Sequence, residues 1–323
     1  MKKISVGLIV YVTIFALSSL TNAATLSAIY KFEGLNSATT SFEGLDFTND
    51  GTLWITSAPN SAAKSVFAVD LANEKILSNT QTSLFNPVAL ASDGTQLFIG
   101  NNYKAGYGFD LADKVYAGSI ISPEEGITVS ASPIFTLGVA GFLGIDAKKT
   151  CMEPEGAAYL NEYIYFSCQD SKEVIKVNPA TGAVVERYNI GVTVLGVGAT
   201  EDKLILGDYT NHALLLYDVS IGSVTDSISL ASLFIGAESD YEKLTGMAYR
   251  VDVENAGKDI RSIPDPDGIA YRNGKIYMTF EHDLRVFEIS LNDPPVATPE
   301  PGTVLLLGLG LMGLTAGLRK KRA

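Results

Sequence analysis

The chain has 323 residues, of which 46% are hydrophobic and 19% charged, which excludes disordered, collagen-like and coiled-coil architectures. Lys and Arg number 24 against 36 Asp and Glu, and the formal net charge is −12. An acidic excess of this size repels nucleic acid and anionic lipid surfaces, so we expect no nucleic-acid partner.

Residues 1–23 have the pattern of a secretory signal peptide. Lys2 and Lys3 precede an apolar run, and Ala23 ends a stretch of small residues suited to cleavage. The mature chain is therefore expected to begin at Ala24 in an extracytoplasmic compartment. A retained N-terminal anchor is the alternative, although the apolar run is short for a span of ~20 residues.

One short pattern recurs through the body, which we place at residues 24–292. Its clearest copies open with Glu43-Gly44, Glu155-Gly156 and Asp267-Gly268, and the last two copies are 112 residues apart without a gap. Each copy continues through a turn containing Asn or Asp into a second strand of aromatic and β-branched residues, which predicts a β-hairpin. Weaker copies begin at Pro87 and Gly196.

Units of four short strands that repeat every ~40 to 45 residues are typical of a β-propeller. Five units are legible, and residues 119–152 and 229–266 are long enough to hide another. We therefore predict an all-β propeller with six blades, leaving five to seven open. The unpaired strand Leu26–Glu33 is expected to close the ring beside the last unit. A β-sandwich is the alternative, but it does not account for the gapless recurrence.

Acidic residues stand at equivalent positions where the units begin. Glu43, Glu155 and Asp267 are expected to converge on one mouth of the channel, where they would raise one another's pKa unless a cation neutralised them. The openings resemble blades of the gluconolactonase, senescence-marker and NHL propellers, and that resemblance implies that Glu43 ligates a divalent metal. We predict a site suited to Ca²⁺ at Glu43, Glu155, Asp208 and Asp267. The alternative is that these acids cap turns, bond to backbone amides or face solvent.

The sequence contains few other motifs that indicate catalysis or ligand binding. No Gly-x-Ser-x-Gly sequence occurs, and His212 and His282 are predicted to lie in turns away from the inner strands. Tyr103 and Tyr107 flank a glycine-containing turn and are the residues we predict to contact a glycan, since sugar rings stack on tyrosine faces. Packing of these rings at blade corners is the alternative.

The two cysteines, Cys151 and Cys168, belong to the same unit. In an oxidising compartment an even cysteine count favours a disulfide, here closing a loop of 17 residues. Two reduced, buried thiols are the alternative.

The C-terminus has three parts: a linker at 293–302, an apolar segment at 303–318 predicted to be a transmembrane helix, and a basic tail at 319–323. The residues that define it are Pro299, Glu300, Pro301, Arg319, Lys320, Lys321 and Arg322. This order resembles the PEP-CTERM sorting signal, which implies an exosortase as partner and residence in the inner membrane before processing. A plain membrane anchor would have no need of Pro-Glu-Pro.

Together these features predict a protein exported to the periplasm, outer surface or extracellular matrix. The resemblance to sorted proteins implies a connection with biofilm and exopolysaccharide. We predict a binding or scaffold module for exopolysaccharide or surface proteins rather than an enzyme. The alternative is a divalent-metal-dependent hydrolase of the lactonase or esterase type.

Overall fold

The structure is a computed structural model that describes residues 24–35, 40–57, 64–84, 86–101, 112–139, 151, 154–250, 265–280 and 283–291. Residues 24–291 form a compact unit. The predicted signal peptide, linker, C-terminal helix and basic tail lie outside the described residues. Within the described ranges, no helix is long and apolar enough to cross a membrane.

The described strands form five antiparallel sheets, which are the blades of a propeller. Blade 1 contains β2 (Phe42–Phe47), β3 (Leu53–Ser57), β4 (Lys64–Asp70) and β5 (Lys75–Thr82). Blade 2 contains β6 (Pro87–Ser92), β7 (Gln96–Asn101), β8 (Ala112–Ser122), β9 (Gly126–Val129) and β10 (Phe135–Val139). Blade 3 contains β11 (Pro154–Leu160), β12 (Tyr163–Cys168), β13 (Glu173–Val177) and β14 (Val184–Asn189).

Blade 4 contains β15 (Val194–Ala199), β16 (Leu204–Asp208), β17 (Ala213–Asp218) and β18 (Ser223–Ser229). Blade 5 contains β19 (Pro266–Arg272), β20 (Lys275–Phe280), β21 (Arg285–Leu291) and the N-terminal strand β1 (Ala24–Lys31). Two short helices, α1 (Leu230–Phe234) and α2 (Asp240–Thr245), lie between blades 4 and 5 in the chain.

Tight turns join the first two strands of the blades, as the sequence predicts. Asn161 and Glu162 connect β11 to β12 with φ of 51° and 68°, and Asn273 and Gly274 connect β19 to β20 with φ of 52° and 77°. Two successive residues with positive φ are characteristic of the type I′ hairpin, whose twist matches that of the strands. The turn residues therefore set the register in which each hairpin pairs.

The ring is closed in two ways. The inner strands β2, β6, β11, β15 and β19 pack side by side, and β19 returns to contact β2. The N-terminal strand β1 pairs with β21, with Ala24 opposite Leu291 and Lys31 opposite Arg285. The predicted closure is confirmed, and it covers the edge of β21 that would otherwise be unpaired.

A buried carboxylate strengthens this closure. Glu288 on β21 accepts hydrogen bonds from Ser27 Oγ and Tyr30 OH on β1, each at 2.7 Å, and from Lys275 Nζ at 2.7 Å. Burial alone would raise the pKa of Glu288, but these donors, together with Tyr277, outweigh burial and hold the pKa below its usual range.

The described residues contain five blades, so the expectation of six is wrong. In the first irregular stretch, the long strand β8 pairs with β10 along its first half and with β9 along its second half, so both belong to blade 2. In the second, α1 and α2 form an insertion whose Leu230, Leu233 and Phe234 pack on Phe280 and Phe287 of blade 5. Neither set of described residues builds a further sheet.

Candidate binding face at the channel mouth

All five inner strands begin at the same end of the ring, which we call the mouth face. The ladders define this end, because Phe42 at the start of β2 pairs with Ser57 at the end of β3, and Pro266 at the start of β19 pairs with Phe280 at the end of β20. Connections between blades, and those from second to third strands, therefore lie at the mouth face. Turns from first to second and from third to fourth strands lie at the opposite end.

The structure places the three repeat-opening acids at equivalent positions on this face. Glu43 and Asp267 are buried and stand on the neighbouring inner strands β2 and β19, whereas Glu155 is half-buried on β11, two blades from each. Val88 and Leu195 hold the same position in blades 2 and 4. The ring of acids is thus incomplete.

Asp208, the fourth predicted ligand, is engaged in its own turn. Its buried carboxylate accepts hydrogen bonds from the backbone N–H groups of Thr210 at 2.8 Å and Asn211 at 3.0 Å, and from Asn211 Nδ2 at 2.7 Å. Across the described ranges, no three His, Cys, Asp or Glu side chains group closely enough to hold a metal ion. The side chains as placed do not fit a metal, and the Ca²⁺ site stays a prediction.

The glycine that follows each opening acid has a structural role. A Cβ on Gly44 would lie 2.3 Å from the Val88 carbonyl oxygen, and one on Gly268 would lie 2.0 Å from the Glu43 carbonyl oxygen. Gly156 approaches β15 equally closely, with 2.5 Å to the Leu195 oxygen. Neighbouring inner strands can approach to this distance only where the side chain is absent.

A hydroxyl on the second strand spans three of these seams between blades. Thr56 Oγ1 donates to the Val88 carbonyl at 3.1 Å, Ser167 Oγ to the Leu195 carbonyl at 2.6 Å, and Thr279 Oγ1 to the Glu43 carbonyl at 2.7 Å. The repeat of acid, glycine and later Thr or Ser therefore encodes blade-to-blade packing. Part of the repeat from which we predicted a metal site is therefore needed for packing between the blades.

One further carboxylate lies in the seam between blades 1 and 2. Asp46 accepts hydrogen bonds from the backbone N–H of Phe47 at 2.8 Å and of Ser92 at 2.7 Å. Burial raises its pKa to about 7 despite these two donors. The equivalent positions in the other four blades hold only small side chains, namely Ala91, Ala158, Gly198 and Ala270.

The turn between β16 and β17 presents an aromatic ring at the mouth face. Tyr209 is 39% exposed, and every other aromatic side chain in the described residues is buried or half-buried. Its backbone N–H donates to the carbonyl of Thr193, which precedes the inner strand β15, and the Thr193 N–H donates to Thr210 Oγ1. The turn is thus fastened to the start of an inner strand.

His212 belongs to the same turn, and its position corrects the expectation that this turn lies away from the inner strands. Its Nδ1 is 3.8 Å from Oδ1 of Asp265, the buried residue that precedes the inner strand β19. Its ring meets that of Tyr209 edge to face, with 6.2 Å between centroids. His282 lies outside the described residues. Sequence reasoning missed this cluster, and the available signal was an aromatic residue beside a histidine in a second-to-third-strand turn.

The insertion between blades 4 and 5 is anchored by a buried ion pair. Arg285 donates from Nε and Nη2 to both carboxylate oxygens of Asp283, at 2.8 and 2.7 Å. Its Nη1 donates to Tyr241 OH and its Nη2 to the Arg250 carbonyl, each at 2.6 Å. All three guanidinium nitrogens donate hydrogen bonds, and those to Tyr241 and Arg250 fix the insertion to blade 5.

The predicted disulfide is confirmed. Cys151 and Cys168 are bonded, with 5.2 Å between their Cα atoms, and Cys168 ends β12 at the mouth face. Pro154 at the start of β11 pairs with Cys168, so the bond ties the approach to blade 3 to its second strand. Tyr103 and Tyr107, the predicted glycan contacts, lie outside the described residues, and their role stays a prediction.

Residues 297–322 match the family model described as the PEP-CTERM protein-sorting motif. This motif indicates an exported protein that an exosortase processes and that is anchored in the membrane before sorting. The motif was predicted from its order of Pro-Glu-Pro, apolar segment and basic tail, and it is confirmed. A search of curated proteins found no matching sequence.

The fold is similar to that of Myxococcus xanthus glutaminyl cyclase, with a TM-score of 0.57 and 15% identity over 83% of this chain and 96% of that chain. A structural genomics protein of unknown function from Bacteroides thetaiotaomicron VPI-5482 gives a TM-score of 0.45 and 11% identity, covering 83% of this chain and 76% of that chain. At such identity the first similarity shows the propeller fold alone.

Proposed function

We propose that this chain is an exported binding module whose mouth face engages a glycan or a surface protein at the bacterial surface or in the extracellular matrix. The observation that carries the proposal is the difference between the two ends of the ring. The strand ends that flank the long segments 102–111, 140–153 and 230–265 lie at the mouth face. At the opposite end, the longest connection between described strands within a blade is 178–183.

Long connections on a rigid scaffold are where binding residues concentrate in propellers and other β folds. Here the scaffold is held by the hydroxyl bonds across three seams, the Cys151–Cys168 disulfide and the strand that closes the ring. The strongly negative charge favours uncharged or basic partners over polyanions.

The test blocks one end of the ring at a time. Glu33 and Glu201 are both exposed glutamates, Glu33 on the mouth side after β1 and Glu201 in a turn at the opposite end. The described residues contain no free cysteine, so Glu33→Cys and Glu201→Cys can each be labelled selectively with a polyethylene glycol chain. We expect the label at position 33, but not at position 201, to abolish binding of the exported protein to the cell envelope and extracellular polysaccharide of its host. Equal binding by both labelled proteins would contradict the proposal.

The lactonase-type alternative predicts a different response. A hydrolase of that type would lose activity with a chelator and with Glu43→Gln. A binding module keeps its partner in both conditions, since Glu43 contributes its backbone carbonyl to the seam with Thr279 and the substitution leaves that carbonyl unchanged.

A further inference from the structure

Tyr209 is an exposed aromatic residue, whereas every other aromatic side chain in the described residues is buried or half-buried. At 39% exposure it leaves apolar surface in water at the mouth face. An aromatic ring held on a short turn loses little conformational entropy on binding, because only two side-chain torsions must be ordered. These are the properties of a contact residue.

The backbone under the ring is already ordered. Asp208 bonds to two backbone N–H groups and one side chain of the same turn, and Tyr209 N–H bonds to the Thr193 carbonyl at 3.0 Å. The His212 carbonyl accepts a hydrogen bond from Leu230 N–H at 2.9 Å, which ties the end of the turn to the start of the insertion. The backbone that carries the ring is therefore held in one position.

His212 supplies a polar edge beside this ring. Its Nδ1 is buried and faces Asp265 at 3.8 Å, while the side chain as a whole is 29% exposed. The exposed part of the imidazole is therefore the side away from Nδ1, which includes Nε2. An imidazole nitrogen at this place can form a hydrogen bond with a hydroxyl group.

The surroundings select against anionic ligands. Asp208 and Asp265 both lie at the foot of the turn, and the chain carries a formal net charge of −12. A carboxylate, sulfate or phosphate would be repelled here, whereas an uncharged ring with apolar C–H faces and peripheral hydroxyls matches both the aromatic face and the polar edge.

We propose that Tyr209 and His212 form a subsite for an uncharged sugar ring, which stacks on Tyr209 and bonds through a hydroxyl to His212. The subsite rests on the proposed function, because it names a ligand class and a contact for the same mouth face. The two residues that contact the sugar in this subsite are not among those predicted to bind metal.

The experiment is affinity electrophoresis of the exported protein in native gels that contain hydroxyethyl cellulose, galactomannan or alginate. We expect retardation by at least one of the two neutral polymers and none by alginate, whose uronates are charged. Tyr209→Ala should weaken binding about tenfold or more, and Tyr209→Phe should retain most of it because the stacking face remains.

Tyr163→Ala is the matched control. Tyr163 is a half-buried tyrosine at the opposite end of the ring, where Lys176 Nζ lies 4.2 Å from its ring centroid. Its removal should leave retardation unchanged. His212→Ala should weaken binding by a smaller factor than Tyr209→Ala, and the melting temperatures of the Tyr209 variants should match that of the wild type.

Three results would overturn the subsite: no retardation by either neutral polymer, equal retardation of Tyr209→Ala and wild type, or retardation by alginate alone. None of these results contradicts the proposed function, because that function is tested separately by the polyethylene glycol label at position 33. Loss of envelope binding on that block, with neutral-polymer retardation absent, would support the proposed function and reject the sugar subsite.

Discussion

Gly268→Ala tests whether the repeat glycine is required for neighbouring blades to approach. A Cβ at this position would lie 2.0 Å from the Glu43 carbonyl oxygen and 2.6 Å from Thr279 Oγ1, although real Cβ contacts essentially never fall below 3.0 Å. Blades 5 and 1 would have to separate by roughly 1 Å, as happens when a core is overpacked. The Thr279 hydroxyl would lose its 2.7 Å bond to the Glu43 carbonyl.

The expected loss follows from these two effects. Overpacking costs about 1 to 3 kcal/mol, and the lost hydrogen bond costs about 1 kcal/mol. The free energy of unfolding should therefore fall by about 2 to 4 kcal/mol, a large share of the 5 to 15 kcal/mol that is roughly typical of a domain.

Urea denaturation without reductant, followed by tryptophan fluorescence, measures this change. Trp54 is the only tryptophan and is fully buried in blade 1, one of the two blades that form the affected seam, so its fluorescence reports unfolding of the ring. Gly191→Ala is the control, because its φ is 81° but no atom lies within 4 Å of the added Cβ, so only backbone strain of about 1 kcal/mol is expected. If Gly268→Ala were no more destabilising than Gly191→Ala, the close approach would not govern the seam.

Three further predictions concern stability. Because the pKa of Asp46 is raised to about 7 in the folded state, its contribution to stability is full below the unfolded pKa of about 4 and is lost as pH rises through about 7. Asp46→Asn should flatten that part of the urea-midpoint profile, and an unchanged slope would contradict the burial of this carboxyl group. Glu288 has the opposite sign: its pKa is lowered, so its contribution is present above the unfolded pKa and is lost as pH falls through the folded one. Glu288→Gln should reduce the free energy of unfolding near neutral pH by about 1 to 3 kcal/mol and speed hydrogen exchange in β1, whereas unaltered exchange there would show that it does not hold the closing strand. Reduction of Cys151–Cys168 should cost roughly 3 kcal/mol in the chain-entropy model, seen as a lower urea midpoint; a midpoint unaffected by reductant would argue against this estimate.

The hairpins, the closing strand and the disulfide could be predicted because each depends on local pattern. Asn273-Gly274 between two alternating strands defines a turn by itself, and strand β1 follows from the unit that ends without a fourth strand. The number of blades could not be predicted in this way. One long strand, β8, pairs with two short partners, and the insertion carries enough apolar residues to resemble a degenerate unit.

The same distinction between local pattern and tertiary structure applies to the candidate site. Sequence alone determined that the chain is sorted by a PEP-CTERM motif and that acidic residues open three of its units, because both are properties of adjacent residues. Only the tertiary structure decided that Asp208 is engaged within its own turn and that Tyr209 and His212 stand at the mouth beside Asp265. The bonds of Asp208 depend on the backbone conformation of its turn, whereas the approach of His212 to Asp265 joins separate blades and its distance follows from how the ring closes.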